Sequence, residues 1–341
     1  MNGTISFGSG RPAQWMRLAH GRDHDADGER FWHIARDQWG LDKPKMIISV
    51  MGSGKSLKLS PKVREKFGRG LVNAVLSTDA WVITSGIDVG TAKEVGDAVR
   101  KYAVGKADDI TLIGVVGWKT LDKQNRLNLE NNAGKKCSYF TGSELPEMAG
   151  YNRLDSRHSY QVFVDHGSEA QNGKELTYRT AIEDFLRNNP SRDANIFDSK
   201  DYKVPTVCIL VQGGWSSLKK AYKSVTEGIP VVVLKDSGGF SDVICDALEL
   251  DIDLITPAKM IELMEQYDLG LKTNSIDDIK KWTRWLVSML QYNKMCDRKY
   301  IQIFSLNSSD DYYIDTAILR ALLKLDTELP MQTYISMCWD R

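Results

Sequence analysis

What most constrains this chain is an alternation of two periodicities. Apolar runs at 46–50, 81–84, 110–116, 160–164, 207–212 and 230–234 are short and carry no charged residue. That is the pattern of strands buried on both faces. Between them lie stretches whose apolar residues recur every three or four positions. The first is 61–76, with Val63, Phe67, Leu71 and Val75 on one face; 91–102, 176–188, 218–226 and 242–248 follow. Strand and helix trade places about six times, which predicts an open, mostly parallel α/β sheet. Sheets of that kind take ligands at the carboxyl ends of their strands.

Glycine-rich turns gather at those ends: 52–54, 85–90, 213–217 and 237–239. The most informative is Gly213-Gly214-Trp215-Ser216-Ser217, between the run at 207–212 and the helical stretch at 218–226. A glycine pair lets backbone N–H groups approach a phosphate closely. The serines add hydroxyl donors, and a helix start adds partial positive charge. Ser237-Gly238-Gly239 follows the next run. Two such turns on neighbouring strand ends predict a nucleotide diphosphate site.

The flanks read differently. Residues 1–45 are polar and irregular, an N-terminal extension whose Trp15, Trp32 and Trp39 suit a segment packed onto a neighbour rather than a disordered tail. Residues 119–158 read as long connections. The alternating domain spans 46–250. From 251 to 341 the pattern is mainly helical, at 256–267, 275–290 and 315–325, with a short apolar run at 301–304: a helical appendage. At Cys338-Trp339-Asp340-Arg341 an element reads as cut short.

Lys plus Arg and Asp plus Glu number 45 each. The balance argues against a nucleic-acid partner as the main role. Cysteines at 137, 208, 245, 296 and 338 form no CxxC pair, which predicts a reduced chain without structural zinc. The histidines show no metal spacing, and His158 and His166 read as structural. No run is long enough to cross a membrane, and Arg11, Arg17, Arg22 and Asp23 interrupt any signal-peptide core.

Several motifs carry two readings. Gly52-Ser53-Gly54-Lys55-Ser56 ends like a phosphate-binding P-loop, but the full pattern needs a glycine where Ser49 stands. Pro61 also follows too soon for a helix to begin at the Lys-Ser pair. The turn can still reach a nucleotide through backbone N–H groups. Val162-Phe163-Val164-Asp165 has the form of a magnesium-binding strand end, or of an ordinary strand ending in aspartate. Arg179 is either a two-point cation for a diphosphate or a surface arginine on a solvated helix face. Trp215 either stacks on a base or packs at the rim.

Longer motifs bring a resemblance. Residues 44–52 (Pro-Lys-Met-Ile-Ile-Ser-Val-Met-Gly), 80–86 (Ala-Trp-Val-Ile-Thr-Ser-Gly) and 154–159 (Leu-Asp-Ser-Arg-His-Ser) are similar to the amino-terminal cytosolic region of melastatin-type transient receptor potential (TRPM) cation channels. So are 211–214, 242–244, 315–323 and 338–341. That region comprises melastatin homology regions one and two and belongs to the SLOG superfamily of Rossmann-like nucleotide binders. The subtype gated by ADP-ribose looks most similar. The resemblance implies a Rossmann-like SLOG domain at 46–250 and ADP-ribose, or a close analogue, as regulatory ligand. No further cofactor is required. The implied contacts are Met51, Gly52, Ser53 and Ser56 in the first turn, then Asn172 and Arg179. They continue with Gly213, Gly214, Ser216 and Ser217, and end with Ser237, Gly238 and Gly239. Met51 stands where a threonine is usual, Asn172 where a tyrosine is, and Gly239 where an arginine is. One cation and one aromatic are therefore missing.

A hydrolytic SLOG branch carries a glutamate where this chain has Lys220, so the resemblance implies a binder and not an enzyme. The expected role is a ligand-sensing domain of a calcium-permeable cation channel. Its partners would be other cytosolic regions of the same tetrameric channel, at the cytosolic side of the plasma membrane. The alternatives are an assembly module with a vestigial cleft and a nucleotide-processing enzyme.

Overall fold

The structure is a computed structural model. It describes residues 1–8, 11–18, 25–54, 57, 59–140, 151–165, 167, 173–190, 203–297, 299–305 and 313–325. In chain order these form β1 (Asn2–Ser6), β2 (Ala13–Leu18), α1 (Asp25–Asp37), β3 (Met46–Gly52), α2 (Pro61–Thr78), β4 (Ala80–Thr84), α3 (Gly90–Tyr102) and β5 (Leu112–Gly117). Next come α4 (Lys123–Asn131), β6 (Lys136–Ser138), β7 (Tyr160–Val164), α5 (Glu175–Asn188), β8 (Thr206–Val211), α6 (Trp215–Thr226), β9 (Val231–Lys235) and α7 (Gly239–Glu249). The last are α8 (Pro257–Gln266), α9 (Ile276–Met295), β10 (Ile301–Ser305) and α10 (Ile314–Leu325). The architecture is α/β and Rossmann-like, with mostly parallel strands, as the alternation predicts.

The chain divides into two compact units, and each draws on separate stretches of sequence. Unit one is Met1–Ile47 with Asp79–Pro205; unit two is Ile48–Thr78 with Thr206–Arg341.

In unit one the strands follow the order β4-β5-β7-β2-β1-β6. All neighbours are parallel except β1 and β2, which pair antiparallel from Asn2 opposite Met16 to Ile5 opposite Ala13. The segment 1–45 is thus not irregular: it supplies two strands and a helix. Its tryptophans pack as expected of a docked segment. Trp15 is fully buried against Phe163, Trp32 meets Trp81, and Trp39 meets Tyr160. α1 buries Phe31, Trp32 and Ala35 against Tyr178, Ile182 and Leu186 of α5. Gly28 makes that approach possible. A Cβ there would stand 2.5 Å from Cβ of Phe185 and 2.6 Å from the Ala181 carbonyl oxygen. The expected long connection also contains structure, α4 and β6. Asp122 begins α4 by accepting from the Asn125 N–H at 2.8 Å, a side-chain cap of the usual kind.

In unit two the order is β10-β9-β8-β3, with β8 and β10 both parallel to β9. The helices after 251 are not an appendage. Met260, Met264, Leu286, Met289 and Leu290 share one core with Leu210, Val233, Phe240 and Ile244. The apolar run at 301–304 became a strand because β9 offers it a partner edge, with Ile301 opposite Val231. Thr256 caps α8 through Lys259 N–H at 3.3 Å, and Ser275 caps α9 through Asp278 N–H at 3.1 Å. α10 lies against α2 at Gly70, where a Cβ would come within 2.7 Å of the Ile314 nitrogen.

Candidate functional site

The strand-end rim of unit two holds most of the residues singled out in the sequence. β8 ends at Val211, and Gln212 and Gly213 both take left-handed conformations, with φ of 60° and 81°. That reversal delivers Gly214 as the first residue of the α6 cap. No side chain caps this helix start. A Cβ built on Gly214 would meet nothing within 4 Å, so the N-terminus of α6 faces open space. Ser216 is exposed beside it. The 12-residue helix therefore presents its positive end and its first N–H groups outward.

The second turn is built against the first. β9 leads into Asp236, Gly238 and Gly239, with φ of 66°, 87° and 62°. Phe240 N–H donates to the Gly213 carbonyl at 3.2 Å and Ser241 N–H to the Gln212 carbonyl at 2.8 Å. The Ser237 hydroxyl accepts from Gln212 N–H at 2.8 Å and donates to the Leu234 carbonyl at 2.6 Å. Gly239 lets the turns close on each other: a Cβ would stand 2.6 Å and 2.8 Å from the carbonyl oxygens of Gly213 and Gln212, and something would have to shift. Asp242 then reaches back along α7. Its carboxylate accepts from Asp236 N–H at 2.7 Å and from Gly238 N–H at 2.9 Å. Burial pushes the Asp242 carboxyl above its ordinary pKa; the two N–H groups oppose that, and Asp236 and Asp246 add to it.

The two turns thus differ. The N–H groups of 236 and 238 serve Asp242, and those of 240 and 241 serve the first turn. Ser237 is buried and faces inward. Ser217 is buried too, its hydroxyl donating to the Gly52 carbonyl at 3.2 Å, which ties α6 to the end of β3. Met51 places its side chain in the core, so only its backbone is left for a ligand. Gly52 and Ser53 are half-buried at the same strand end. α2 begins only at Pro61, well past the Lys-Ser pair. Lys55, Ser56 and Asn172 lie outside the described residues. Trp215 is a rim residue: its ring stacks on Trp282 of α9 at 3.5 Å and meets Phe240 edge-on at 4.7 Å. Lys220 is buried on α6.

Unit one holds Arg179, and it is not a surface residue. Its side chain is 6% exposed. Nε donates to Glu183 at 2.8 Å, one helical turn on along α5, and an Nη donates to the Ile83 carbonyl at 2.7 Å. The Glu183 partner was readable in the sequence as an i, i+4 pair. Asp165 is an ordinary strand end. It pairs with Arg17 at 2.6 Å and accepts from Gly167 N–H at 3.1 Å. Burial raises its carboxyl pKa, but those partners outweigh burial and leave it lowered.

The stretch 154–159 forms a buried clamp on the 84–90 turn of the same unit. Asp155 N–H donates to the Gly86 carbonyl at 2.9 Å. The Thr84 hydroxyl lies 2.7 Å from Nε2 of His158, whose Nδ1 stands 3.3 Å from Asp155. Thr84 also accepts from Gly86 N–H at 2.9 Å. The order of groups matches a hydroxyl–imidazole–carboxylate relay. All three side chains are buried, however, so no substrate reaches them. Arg157 adds contacts to Asp155 at 2.5 Å, Asp97 at 2.8 Å and Asp88 at 3.3 Å. Burial raises the Asp155 carboxyl pKa, but His158 and Arg157 outweigh it and the net position is lowered. Gly96 makes room, since a Cβ would fall 2.0 Å from the Asp155 carboxylate. His158 is structural, as the sequence predicted.

Among the described residues no cluster could hold a metal ion, and no helix is long and apolar enough to cross a membrane. The chain is 30% identical over 340 residues to transient receptor potential cation channel subfamily M member-like 2 of Nematostella vectensis, covering 98% of this chain and 21% of that protein. Over 324 residues it is 29% identical to subfamily M member 2 of Rattus norvegicus, covering 93% and 20%. To member 7 of the same species it is 27% identical over 358 residues, covering 99% and 18%. It therefore spans about a fifth of the length of these relatives. A sequence profile of the family described as SLOG in TRPM matches residues 13–253, which contain every strand from β2 to β9 and both turns of the rim. The chain belongs to that family, the SLOG domains of TRPM proteins.

Proposed function

We propose that this chain is the ligand-sensing part of a TRPM-type, calcium-permeable cation channel and binds ADP-ribose or a related nucleotide without turning it over. The observation that carries the reading is the turn at 213–214. It aims an uncapped helix N-terminus into open space beside an exposed serine. A phosphate is the ligand such a terminus stabilises best. Gly52 and Ser53 extend the rim at the neighbouring strand end. Lys220 stands where the hydrolytic branch has its glutamate, and it is buried. An ammonium cannot take the role of that carboxylate. Sensing further requires that ligand affinity differ between closed and open channel states. The cytosolic side of the plasma membrane and a tetrameric channel belong to the same proposal.

Titration calorimetry with ADP-ribose, AMP and ATP tests the binding, and chromatography of the same mixtures after long incubation tests for turnover. Heat with ADP-ribose and no products is the expected result. Absence of heat and of any thermal shift at millimolar ligand refutes sensing. Release of ribose 5-phosphate in proportion to protein refutes the non-catalytic part.

A second reading, an assembly module with a vestigial cleft, has its own support. Arg179 is satisfied by Glu183, Trp215 is stacked on Trp282, and Asp242 fills the second turn. Of these, Arg179 is a ligand contact that the resemblance implies, and Trp215 is the residue with a base-stacking reading.

A further inference from the structure

Asp242 holds the key to which part of a ligand each turn of the rim accepts. The 236–239 turn has the left-handed residues that curl backbone N–H groups into an anion cradle, at Asp236, Gly238 and Gly239. Its two inward donors already hold a carboxylate, at 2.7 Å and 2.9 Å, and that carboxylate belongs to the chain itself. The neighbouring 213–214 turn has no such occupant, and its glycine faces open space. The turns are locked together by the Phe240–Gly213 and Ser241–Gln212 bonds and by the Ser237 hydroxyl. A ligand seated on one is therefore adjacent to the other.

We infer that Asp242 is a specificity-determining residue that closes the second turn to phosphate, so that the rim takes one phosphate at the α6 N-terminus and meets uncharged, hydroxyl-bearing ligand atoms beside 236–242. The inference rests on the nucleotide-binding reading above. A phosphate on the second turn would have to expel the Asp242 carboxylate from two hydrogen bonds. It would then sit against the displaced carboxylate, with Asp236 and Asp246 adding negative charge nearby. The carbonyl oxygens of Gly213 and Gln212 close the remaining side at Gly239. Hydroxyl groups have no such conflict, because they donate hydrogen bonds to a carboxylate. A nucleoside diphosphate can satisfy both turns only by turning its second phosphate away from 236–242.

The test uses the whole chain and begins without mutation. Phosphate, pyrophosphate, ribose 5-phosphate, AMP and ADP are titrated against it. Pyrophosphate should bind no tighter than phosphate, ADP no tighter than AMP, and ribose 5-phosphate tighter than phosphate. Asp242→Asn removes the charge and should raise the pyrophosphate-to-phosphate affinity ratio on the order of tenfold, the effect of one like charge a few ångströms away in a partly screened site. Wild-type protein that prefers pyrophosphate to phosphate tenfold or more overturns the inference, whether or not the variant folds. So does a folded Asp242→Asn with an unchanged ratio. Wild-type protein that binds none of the five overturns the nucleotide-binding reading together with this one. Binding with the wrong ratios overturns this one alone.

Discussion

Gly239→Ala tests the joint between the two turns, and its cost can be worked from the structure. Gly239 has φ of 62°, where an alanine is disfavoured by about 1–2 kcal/mol. The new Cβ would meet the carbonyl oxygens of Gly213 and Gln212 at 2.6 Å and 2.8 Å. Both are backbone atoms, so no side chain can swing aside. Relief requires the turns to separate, which weakens the Phe240–Gly213 and Ser241–Gln212 bonds, worth about 0.5–1.5 kcal/mol each. Alanine returns about 0.4–1 kcal/mol by restricting the unfolded chain. The net expectation is a loss of roughly 1–4.5 kcal/mol. Gly214→Ala is the matched control. Its φ is −108° and its Cβ meets nothing within 4 Å. That variant should lose about 1 kcal/mol, the cost of alanine at a helix N-cap, while placing a methyl where phosphate is expected. Urea unfolding read by tryptophan fluorescence measures the first effect, and phosphate titration the second. A Gly239→Ala protein as stable as the wild type would refute the backbone argument. A Gly214→Ala protein that binds phosphate normally would refute the location of the site.

Arg179→Ala should lower stability by about 3–5 kcal/mol, because it removes one partner of a buried ion pair, the guanidinium 2.8 Å from Glu183, together with its hydrogen bond to the Ile83 carbonyl. Arg179→Met with Glu183→Leu should recover most of that loss in the same denaturation assay, and ligand titration of the double variant then shows whether Arg179 also serves a nucleotide. Asp155 has a carboxyl pKa below its unfolded value, so its contribution is present above roughly pH 4 and is lost as pH falls through the folded pKa. The thermal midpoint of Asp155→Asn should therefore trail the wild type at pH 7 and converge with it in acid; a constant gap down to pH 3 would contradict the clamp.

The elements that sequence reading found best are those whose signal is local. β7 at 160–164 and β3 from 46 are legible because short, charge-free and mostly apolar runs leave little else to form. β1, β2 and α1 were hidden for a physical reason. α1 has charges through most of its length and a glycine inside it, which reads as a breaker. The glycine is there because α5 lies too close for a Cβ, a tertiary fact with no local trace. β10 likewise is a strand only because β9 is waiting some 70 residues upstream. At the site, the glycine pair at 213–214 was legible, since few other roles need that composition. The occupant of the second turn was not. Asp242 sits one turn into α7, where an acidic residue is ordinary dipole complementation. Only the fold shows that its carboxylate reaches back to 236 and 238.

Those findings set where a binding experiment has to look. The resemblance to TRPM channels places an arginine at 239 and a tyrosine at 172, and this chain has Gly239 and Asn172. A charge-assisted hydrogen bond is worth about 1.5–3 kcal/mol, and a base stacked on an aromatic about 1–3 kcal/mol. Without both, affinity falls by roughly 2.5–6 kcal/mol, on the order of a hundredfold to more than ten-thousandfold, for the same ligand in the same pose. Restoring the arginine alone is not the remedy, because Gly239→Arg brings the same Cβ collision as Gly239→Ala. What remains is the α6 N-terminus and the groups around it, contributing through backbone N–H bonds and up to about 2 kcal/mol from the dipole. A titration stopped at micromolar ADP-ribose would thus report an empty site in a working weak sensor and in a vestigial one alike. Carried to millimolar, with Gly214→Ala beside the wild type, it separates them: a sensor shows saturable heat that the methyl abolishes, and an assembly module shows none in either protein.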